Sequence, residues 1–283
     1  MQNHLLIFGY GYTASTMVES LNQDEWNISG TSRSKTKDKY CKILNYNKFE
    51  IEAELKNATH ILVSIPPNNN GDMVFQEFKE LIENYKNIKW IGYFSSTAVY
   101  GNHSGNWVDE STDTNPSSQR GINRRLAENQ WLKFGKENSI PVNIFRLSGV
   151  YGPNRNALLQ IKAGRARSIN KKDQVFSRIH VSDIAQIVEA AMNKALQNEI
   201  FNLADDDPCS SIEVNNYAAG LLKTPNPEII NFAEANLSGM AKEFYSDNRR
   251  VSNKKIKEKL GITLKFPTYR KGIDKLFIDE YSD

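Results

Sequence analysis

The stretch LLIFGYGYTA, residues 5–14, joins an apolar run to a glycine-rich turn and then to a helical pattern. Gly9, Gly11 and Ala14 have the spacing GxGxxA. The first glycine permits a tight turn, the second lets the backbone approach a pyrophosphate, and the small third residue lets the helix pack on the sheet. A strand before this turn and a helix after it indicate a dinucleotide site, although a glycine turn without a ligand stays the simpler alternative.

Beyond this turn, short apolar runs alternate with helical patterns through the first half of the chain. Apolar residues recur every three or four positions in the helical segments, as in helices that pack on a sheet. The alternation predicts a doubly wound α/β fold of the Rossmann type, with a parallel sheet between helices. The predicted strands are residues 5–8, 27–31, 41–44, 60–65, 88–95 and 142–147, and the predicted helices are 13–21, 74–85 and 122–134.

The pattern changes after residue 151. Segments 154–163, 182–195 and 212–222 are helical in pattern, and segment 199–203 has the pattern of one more strand. Prolines interrupt the remainder, which suggests a less regular lobe. We therefore expect a Rossmann domain over residues 1–164, to which residues 178–203 return, and a smaller C-terminal substrate-binding lobe over 165–177 and 204–283.

The composition is that of an ordinary globular protein, with 39% hydrophobic and 24% charged residues in a chain of 283. The net charge of +3 is too small to indicate a polyanionic partner, and the acidic run 205–207 also speaks against nucleic-acid binding. Cys41 and Cys209 form no CxxC motif, which argues against a disulfide framework or a zinc site. A reducing cytoplasm fits this cysteine usage, and because the N-terminal apolar run is short we expect neither export nor a membrane segment.

The residues that end the second predicted strand bear on the choice of cofactor. NAD enzymes of this fold usually place an acidic residue there, against the ribose 2′-hydroxyl, whereas this chain has Thr31, Ser32 and Arg33. Arg33 could hold a 2′-phosphate through charge-assisted hydrogen bonds, so NADP is favoured over NAD. A solvated basic loop that includes Lys35 and Lys37 would also explain these charges. The residues assigned to the cofactor are Gly9, Gly11, Tyr12, Ala14, Arg33 and, in the fourth predicted strand, Ser64.

Further motifs follow in order along the chain. The fifth predicted strand ends in FSSTAVYG at 94–101, and VDE at 108–110, RLSGVYGP at 146–153 and IHVSDI at 179–184 come later. Together with GxGxxA, this text resembles the extended short-chain dehydrogenase/reductase family, which contains epimerases, dehydratases and reductases of nucleotide sugars. The resemblance covers nearly the whole chain. It implies a Rossmann fold, a nicotinamide dinucleotide and, often, a homodimer that forms through helices of the Rossmann sheet.

The family's catalytic set is a serine or threonine, a tyrosine, and a lysine four residues after it. On this sequence those positions fall on Ser96, Arg120 and Arg124, so the chain is similar to a bacterial subset in which RGxxR replaces the tyrosine motif. Arginine stays protonated, so neither arginine can exchange the proton that the tyrosine would. Four residues apart on one helix, the two are suited to hold an anion or to stabilise an oxyanion. Ser96 could act chemically or only hydrogen-bond the backbone or the cofactor.

The roles of several neighbouring residues stay open. If hydride transfer takes place, another acid must serve, and Tyr100, Tyr151 and His180 are candidates by residue type, although packing would also explain each of them. Arg124 with Glu128 could be a surface ion pair four residues apart.

The sequence therefore predicts an NADP-binding oxidoreductase or epimerase-like protein with a non-standard site. It would act on a nucleotide-sugar-like or other anionic small molecule. The rival hypothesis is a dinucleotide-binding protein that senses or regulates without catalysis. Hydrolase and kinase functions are not indicated, because the sequence contains no GxSxG, HExxH or Walker-type motif.

Overall fold

The elements predicted around the glycine turn form the centre of the computed structural model, which describes residues 2–34 and 37–281. A one-turn 3₁₀ helix spans Thr97–Tyr100. The other elements, in chain order, are β1 (Asn3–Phe8), α1 (Tyr12–Ser20), β2 (Trp26–Thr31), β3 (Lys42–Leu44), α2 (Lys48–Leu55), β4 (His60–Val63), α3 (Met73–Asn84), β5 (Trp90–Ser96), β6 (Trp107–Val108), α4 (Gln119–Asn138), β7 (Val142–Leu147), β8 (Gly149–Tyr151), α5 (Ala157–Lys162), β9 (Ser168–Asn170), β10 (Arg178–His180), α6 (Val181–Lys194), β11 (Glu199–Leu203), α7 (Ser211–Leu222), β12 (Ile229–Asn231), α8 (Gly239–Ser246), β13 (Arg250–Val251), α9 (Lys254–Leu260) and α10 (Tyr269–Tyr281).

The central sheet has seven strands in the order β11-β7-β5-β4-β1-β2-β3. Every neighbouring pair is parallel, which confirms the doubly wound prediction. From β1 the chain first adds β2 and β3 on one side and then β4, β5, β7 and β11 on the other. The direction of winding therefore changes between β1 and β4, and ligands of such sheets bind beyond the carboxyl ends of the strands at that point.

Apolar side chains cover both faces of this sheet. Helices α1, α6 and α9 contribute to the core on one face, and α2, α3 and α4 to the core on the other. Helix α3 shows why its periodicity was informative, since Val74, Phe78 and Ile82 lie four residues apart and are all buried. Helix α2 was not predicted, because only Ile51 and Leu55 give its eight residues an apolar face.

A separate apolar core lies between α5, α7 and α10, where Leu158, Val214 and Ile273 are buried. Predicted segment 154–163 is helical only over Ala157–Lys162, because Asn156 caps the helix by accepting a hydrogen bond from the backbone N–H of Leu159. Across the described residues, no helix is both long enough and apolar enough to cross a membrane.

Candidate functional site

The glycine turn after β1 has the geometry that a pyrophosphate site requires. Gly9 has φ +95°, and a Cβ there would lie 2.9 Å from Ile65 Cγ1. Its N–H donates to Thr31 Oγ1 at 2.9 Å, which ties the turn to β2. A Cβ on Gly11 would meet nothing within 4 Å, so the space beside this residue is open. Gly11 also caps α1 without a side chain, which leaves the N–H groups of the helix start accessible to an anion.

The other residues assigned to the cofactor surround this turn. Ala14 is fully buried in α1, as close packing of the helix on the sheet requires. Ser64 follows β4 at the switch point and donates its N–H to the carbonyl of Phe8 at 2.8 Å. Tyr12 begins α1, and the guanidinium carbon of Arg155 lies 5.8 Å from the centroid of its ring. These residues fit a dinucleotide, with the glycines and α1 facing its phosphates.

Arg33 lies two residues beyond β2 and is exposed, next to Thr31, which is 2% exposed and fixed by the Gly9 bond. An exposed guanidinium at this edge of the sheet is free to reach a 2′-phosphate. The same exposure suits a solvated basic loop. Lys35, which belongs to that alternative, lies outside the described residues.

Ser96 ends β5 and caps the 3₁₀ helix, accepting a hydrogen bond from the N–H of Ala98 at 3.2 Å. Because this bond uses an oxygen lone pair, the hydroxyl hydrogen of Ser96 can still be donated to a ligand. Arg120 and Arg124 reach this end of β5 because α4 packs closely against the 3₁₀ helix. Gly121 makes this packing possible, since a Cβ there would lie 2.7 Å from the carbonyl oxygen of Ala98.

The two arginines differ in their surroundings. Arg120 lies in the first turn of α4 and is exposed. Arg124 is half-buried, donates a hydrogen bond to the carbonyl of Phe94, and lies 5.8 Å from the ring centroid of Tyr93. Arg124 is therefore held in one position at the end of β5, whereas Arg120 is free to meet a ligand.

Glu128 does not form the surface ion pair with Arg124 that the spacing allowed. It is 2% exposed and bonds Arg146 instead, with the Nη2–Oε2 distance at 2.7 Å. Ser95 Oγ donates to the same carboxylate at 2.5 Å. The surface-pair alternative is wrong, because α4 turns Glu128 toward β5 and β7, where a buried guanidinium requires a counter-ion.

Ser96, Arg120 and Arg124 line one cleft of about 510 Å³ at the carboxyl ends of β5 and β7. Ser148 also lines it, is 8% exposed, and has an Oγ with no hydrogen-bond partner in the described part of the chain. Arg155 reaches the cleft from the side of Tyr12, which connects the cleft to the glycine turn. The arginines of this cleft can therefore hold an anion.

The three candidate proton donors named from the sequence lie elsewhere. Tyr100 is fully buried and donates to Asn202 Oδ1 at 2.8 Å, and burial raises its pKa to about 12. Tyr151 is buried in the core between α5, α7 and α10, and burial raises the pKa of its hydroxyl. His180 Nδ1 accepts from the N–H of Ser182 at 3.2 Å, and burial lowers the pKa of this imidazole to about 4. None of the three is among the described residues that line the cleft.

Sequence reasoning missed the part of the cleft that comes from the second half of the chain. Arg249, Glu243 and Asp247 contribute charges, and Phe176 and Phe244 contribute aromatic rings. The basic pair Arg249–Arg250 was a weak signal. No local pattern places these residues opposite α4, because contacts between distant segments do so.

Comparisons with known proteins agree with this geometry. A solved structure of a functionally unknown conserved protein from Silicibacter pomeroyi is 39% identical, covers 99% of this chain and 100% of its own, and superposes with a TM-score of 0.91. A dTDP-glucose 4,6-dehydratase from Bacillus anthracis in complex with NAD is 18% identical over 99% of this chain and 97% of that one, with a TM-score of 0.80. At that identity the likeness concerns the fold.

Among curated proteins, a dTDP-D-glucose 4,6-dehydratase from Dictyostelium discoideum is 23% identical over 197 residues. The match covers 61% of this chain and 45% of that relative, so it spans less than half of the relative's length. The model of the NAD dependent epimerase/dehydratase family matches residues 5–204, which include the glycine turn, Ser96 and both arginines. The chain belongs to the NAD-dependent epimerase/dehydratase family.

Proposed function

We propose that this protein is an NADP(H)-dependent oxidoreductase or epimerase-like enzyme that acts on an anionic small molecule. The observation that carries the proposal is the meeting of Ser96, Arg120 and Arg124 in one cleft, which Arg155 connects to the glycine turn. Cys41 and Cys209 are buried and form no disulfide with each other, which is compatible with the reducing cytoplasm in which we propose that the protein works.

The cofactor part of the proposal rests on the turn and on Arg33. The open space beside Gly11 admits a pyrophosphate to the N-terminus of α1. Arg33 supplies a cation at the end of β2, where an acidic residue would repel a 2′-phosphate. When bound, the nicotinamide supplies the hydride chemistry, and the chain's own residues position the substrate.

The substrate part rests on charge. Arg120 is exposed at the cleft, and the bond from Arg124 to the Phe94 carbonyl holds a second guanidinium beside it. A carboxylate or oxyanion there would accept hydrogen bonds from Arg120 and from the hydroxyl of Ser96. Such donors can stabilise negative charge on a substrate oxygen, but the arginines cannot exchange its proton.

A second candidate function is binding of the dinucleotide and the anion without turnover. It is favoured by the cleft lining, in which no tyrosine, histidine or lysine occurs among the described residues. Analysis of both the cofactor and the ligand after incubation would separate the two functions. A net oxidoreductase changes the nicotinamide absorbance, an epimerase-like enzyme regenerates its cofactor but changes the ligand, and a binding protein changes neither.

The test is a fluorescence titration of the full chain with NADPH and with NADH. We expect NADPH to bind at least about tenfold more tightly, because a charge-assisted bond to the 2′-phosphate is worth about 1.5–3 kcal/mol. Arg33→Ala should remove that preference and leave NADH binding unchanged.

Lys48→Ala, which removes an exposed cation on α2, is the matched control and should keep the preference. Equal affinities for the two dinucleotides in the wild type, or a preference that survives Arg33→Ala, would overturn the NADP assignment. Failure of both dinucleotides to bind would overturn the proposed function as a whole.

A further inference from the structure

The cleft that Arg120 and Arg124 line also has an aromatic wall formed by Phe176 and Phe244. Their ring centroids are 4.4 Å apart and their planes differ by 8°, so the rings are stacked. Phe176 is 7% exposed, whereas Phe244 is 55% exposed on α8, and both line the cleft. A phenylalanine this exposed at the wall of a cleft leaves apolar surface for a ligand to cover.

This wall is held in place from behind. The backbone of Phe176 exchanges two hydrogen bonds with Cys209, at 2.9 and 3.2 Å. The buried ring of Tyr245 lies edge-on to Phe176, with the centroids 5.1 Å apart. Phe244 is the outermost ring of this group, so its free face can take a further planar ring in the stacked geometry that aromatic pairs favour.

Charges limit what else the ligand can carry. Four arginines line the cleft, and three of them have a partner of their own. Arg249 is paired with Asp247 at 2.9 Å, Arg124 bonds the carbonyl of Phe94, and Arg155 lies over the ring of Tyr12. The exposed guanidinium of Arg120 is therefore the one we assign to the ligand, and a single guanidinium matches one carboxylate better than a multiply charged group.

We propose that the cleft selects a small monocarboxylic acid that carries a planar apolar ring, which stacks on Phe244 while its carboxylate meets Arg120. The inference rests on the proposed function, whose anionic substrate it specifies. A sugar ring of the same charge fits this wall less well, because the face of Phe244 offers no hydrogen-bond partner to hydroxyls that are turned toward it.

Isothermal titration of the NADPH-loaded full chain with 3-phenylpropionate, glucuronate and acetate tests this assignment. We expect 3-phenylpropionate to bind about tenfold more tightly than the other two, and Phe244→Ala to weaken its binding about fivefold to tenfold, from the stacking and burial it removes. Phe244→Ala should leave acetate binding unchanged, whereas Arg120→Ala should weaken the binding of all three anions.

Phe49→Ala is the matched control, since Phe49 is 85% exposed on α2 and is not among the described residues that line the cleft. It should bind all three ligands as the wild type does. Glucuronate binding as tightly as 3-phenylpropionate, or an equal effect of Phe244→Ala and Phe49→Ala, would overturn the proposal.

Uridine monophosphate, titrated in parallel, distinguishes the other source of a planar ring and an anion. If it binds more tightly than 3-phenylpropionate and depends on Phe244, the ligand is a nucleotide and the carboxylic-acid assignment is wrong. If NADPH binds and no carboxylate does, this inference fails while the cofactor proposal stands. If NADPH itself does not bind, the proposed function fails first.

Discussion

Arg124 and Glu128 lie one helical turn apart on α4, but they do not pair with each other. Each forms its polar contact with a residue of another element. Arg124 donates to the Phe94 carbonyl, and Glu128 turns inward to Arg146, whose side chain is 5% exposed. The carboxylate accepts hydrogen bonds from both Arg146 and Ser95, which offsets the cost of burying two ions. This buried pair joins α4 to β7 behind the cleft, so it positions the arginines without touching a ligand.

Glu128→Ala should lower the free energy of unfolding by about 3–5 kcal/mol, because it leaves the Arg146 guanidinium buried without its counter-ion. Urea denaturation measures this change. Glu137→Ala is the control on the same helix, since Glu137 is 60% exposed and lies 3.7 Å from Lys133. It should cost about 0.5 kcal/mol or less. Equal costs for the two variants would show that the Glu128 pair does not stabilise the fold.

At the scale of elements, the two glycines of the turn between β1 and α1 differ in whether the fold requires them. Gly9 combines a φ of +95° with a close approach to Ile65, so it serves the fold. Gly11 has φ −103° and open space beside it, so the fold alone does not require a glycine there. The spacing GxGxxA predicted a glycine-specific role at both positions. Only the backbone angles and the space around each Cα distinguish the two.

Gly11→Ala should leave the unfolding free energy within about 1 kcal/mol of the wild type, because its backbone suits alanine. The same change should weaken NADPH binding about tenfold or more, since a methyl group placed against the pyrophosphate overpacks the site at a cost of about 1–3 kcal/mol. Gly9→Ala should instead lower stability by about 1–2 kcal/mol, because a Cβ is strained at positive φ. Thermal unfolding and NADPH titration of both variants check this division, and a Gly11→Ala protein that binds normally would contradict it.

Helices and strands were predictable where local pattern was strong. Helix α3 repeats buried residues every four positions, and β1 and β7 are apolar runs buried on both faces of the sheet. The short strands β9, β10, β12 and β13 were not predicted, because two or three residues carry no usable period. They exist because a partner strand from a distant segment pairs with each of them.

At the scale of the whole molecule, Asp205 follows β11 and is held against β10. It is 1% exposed, and its backbone N–H donates to the carbonyl of Arg178 at 2.6 Å. Burial, with a smaller contribution from Asp206 and Asp207, raises the pKa of its carboxyl to about 8. The folded state thus binds the proton that the unfolded chain releases near the ordinary aspartate pKa of 3.8.

Because the folded state holds this proton more tightly, Asp205 contributes stability at low pH that is lost as the pH rises to about 8. His60 and His180 have pKa values lowered to about 4 by burial, and they act in the opposite direction only below the ordinary histidine pKa of 6.5. The free energy of unfolding should therefore fall between pH 6.5 and about 8 in the wild type.

Asp205→Asn should flatten the profile in that window, as followed by urea denaturation at several pH values. Asp113→Asn, which changes an exposed carboxylate of the loop before α4, should keep the wild-type slope. Parallel profiles for the wild type and Asp205→Asn would show that this carboxyl does not govern the pH dependence.

The sequence by itself determined the doubly wound fold, the dinucleotide turn, and the arginines in place of the family's tyrosine and lysine. These features are local, because turn chemistry and periodicity act within a few residues. Only the tertiary structure decided the partner of Glu128, the burial of Tyr100, Tyr151 and His180, and the far wall of the cleft. Those contacts join distant segments, as Ser117 to Asp247 across 130 residues and Gly101 to Arg249 across 148. Burial of a common core, which no single segment encodes, brings such segments together.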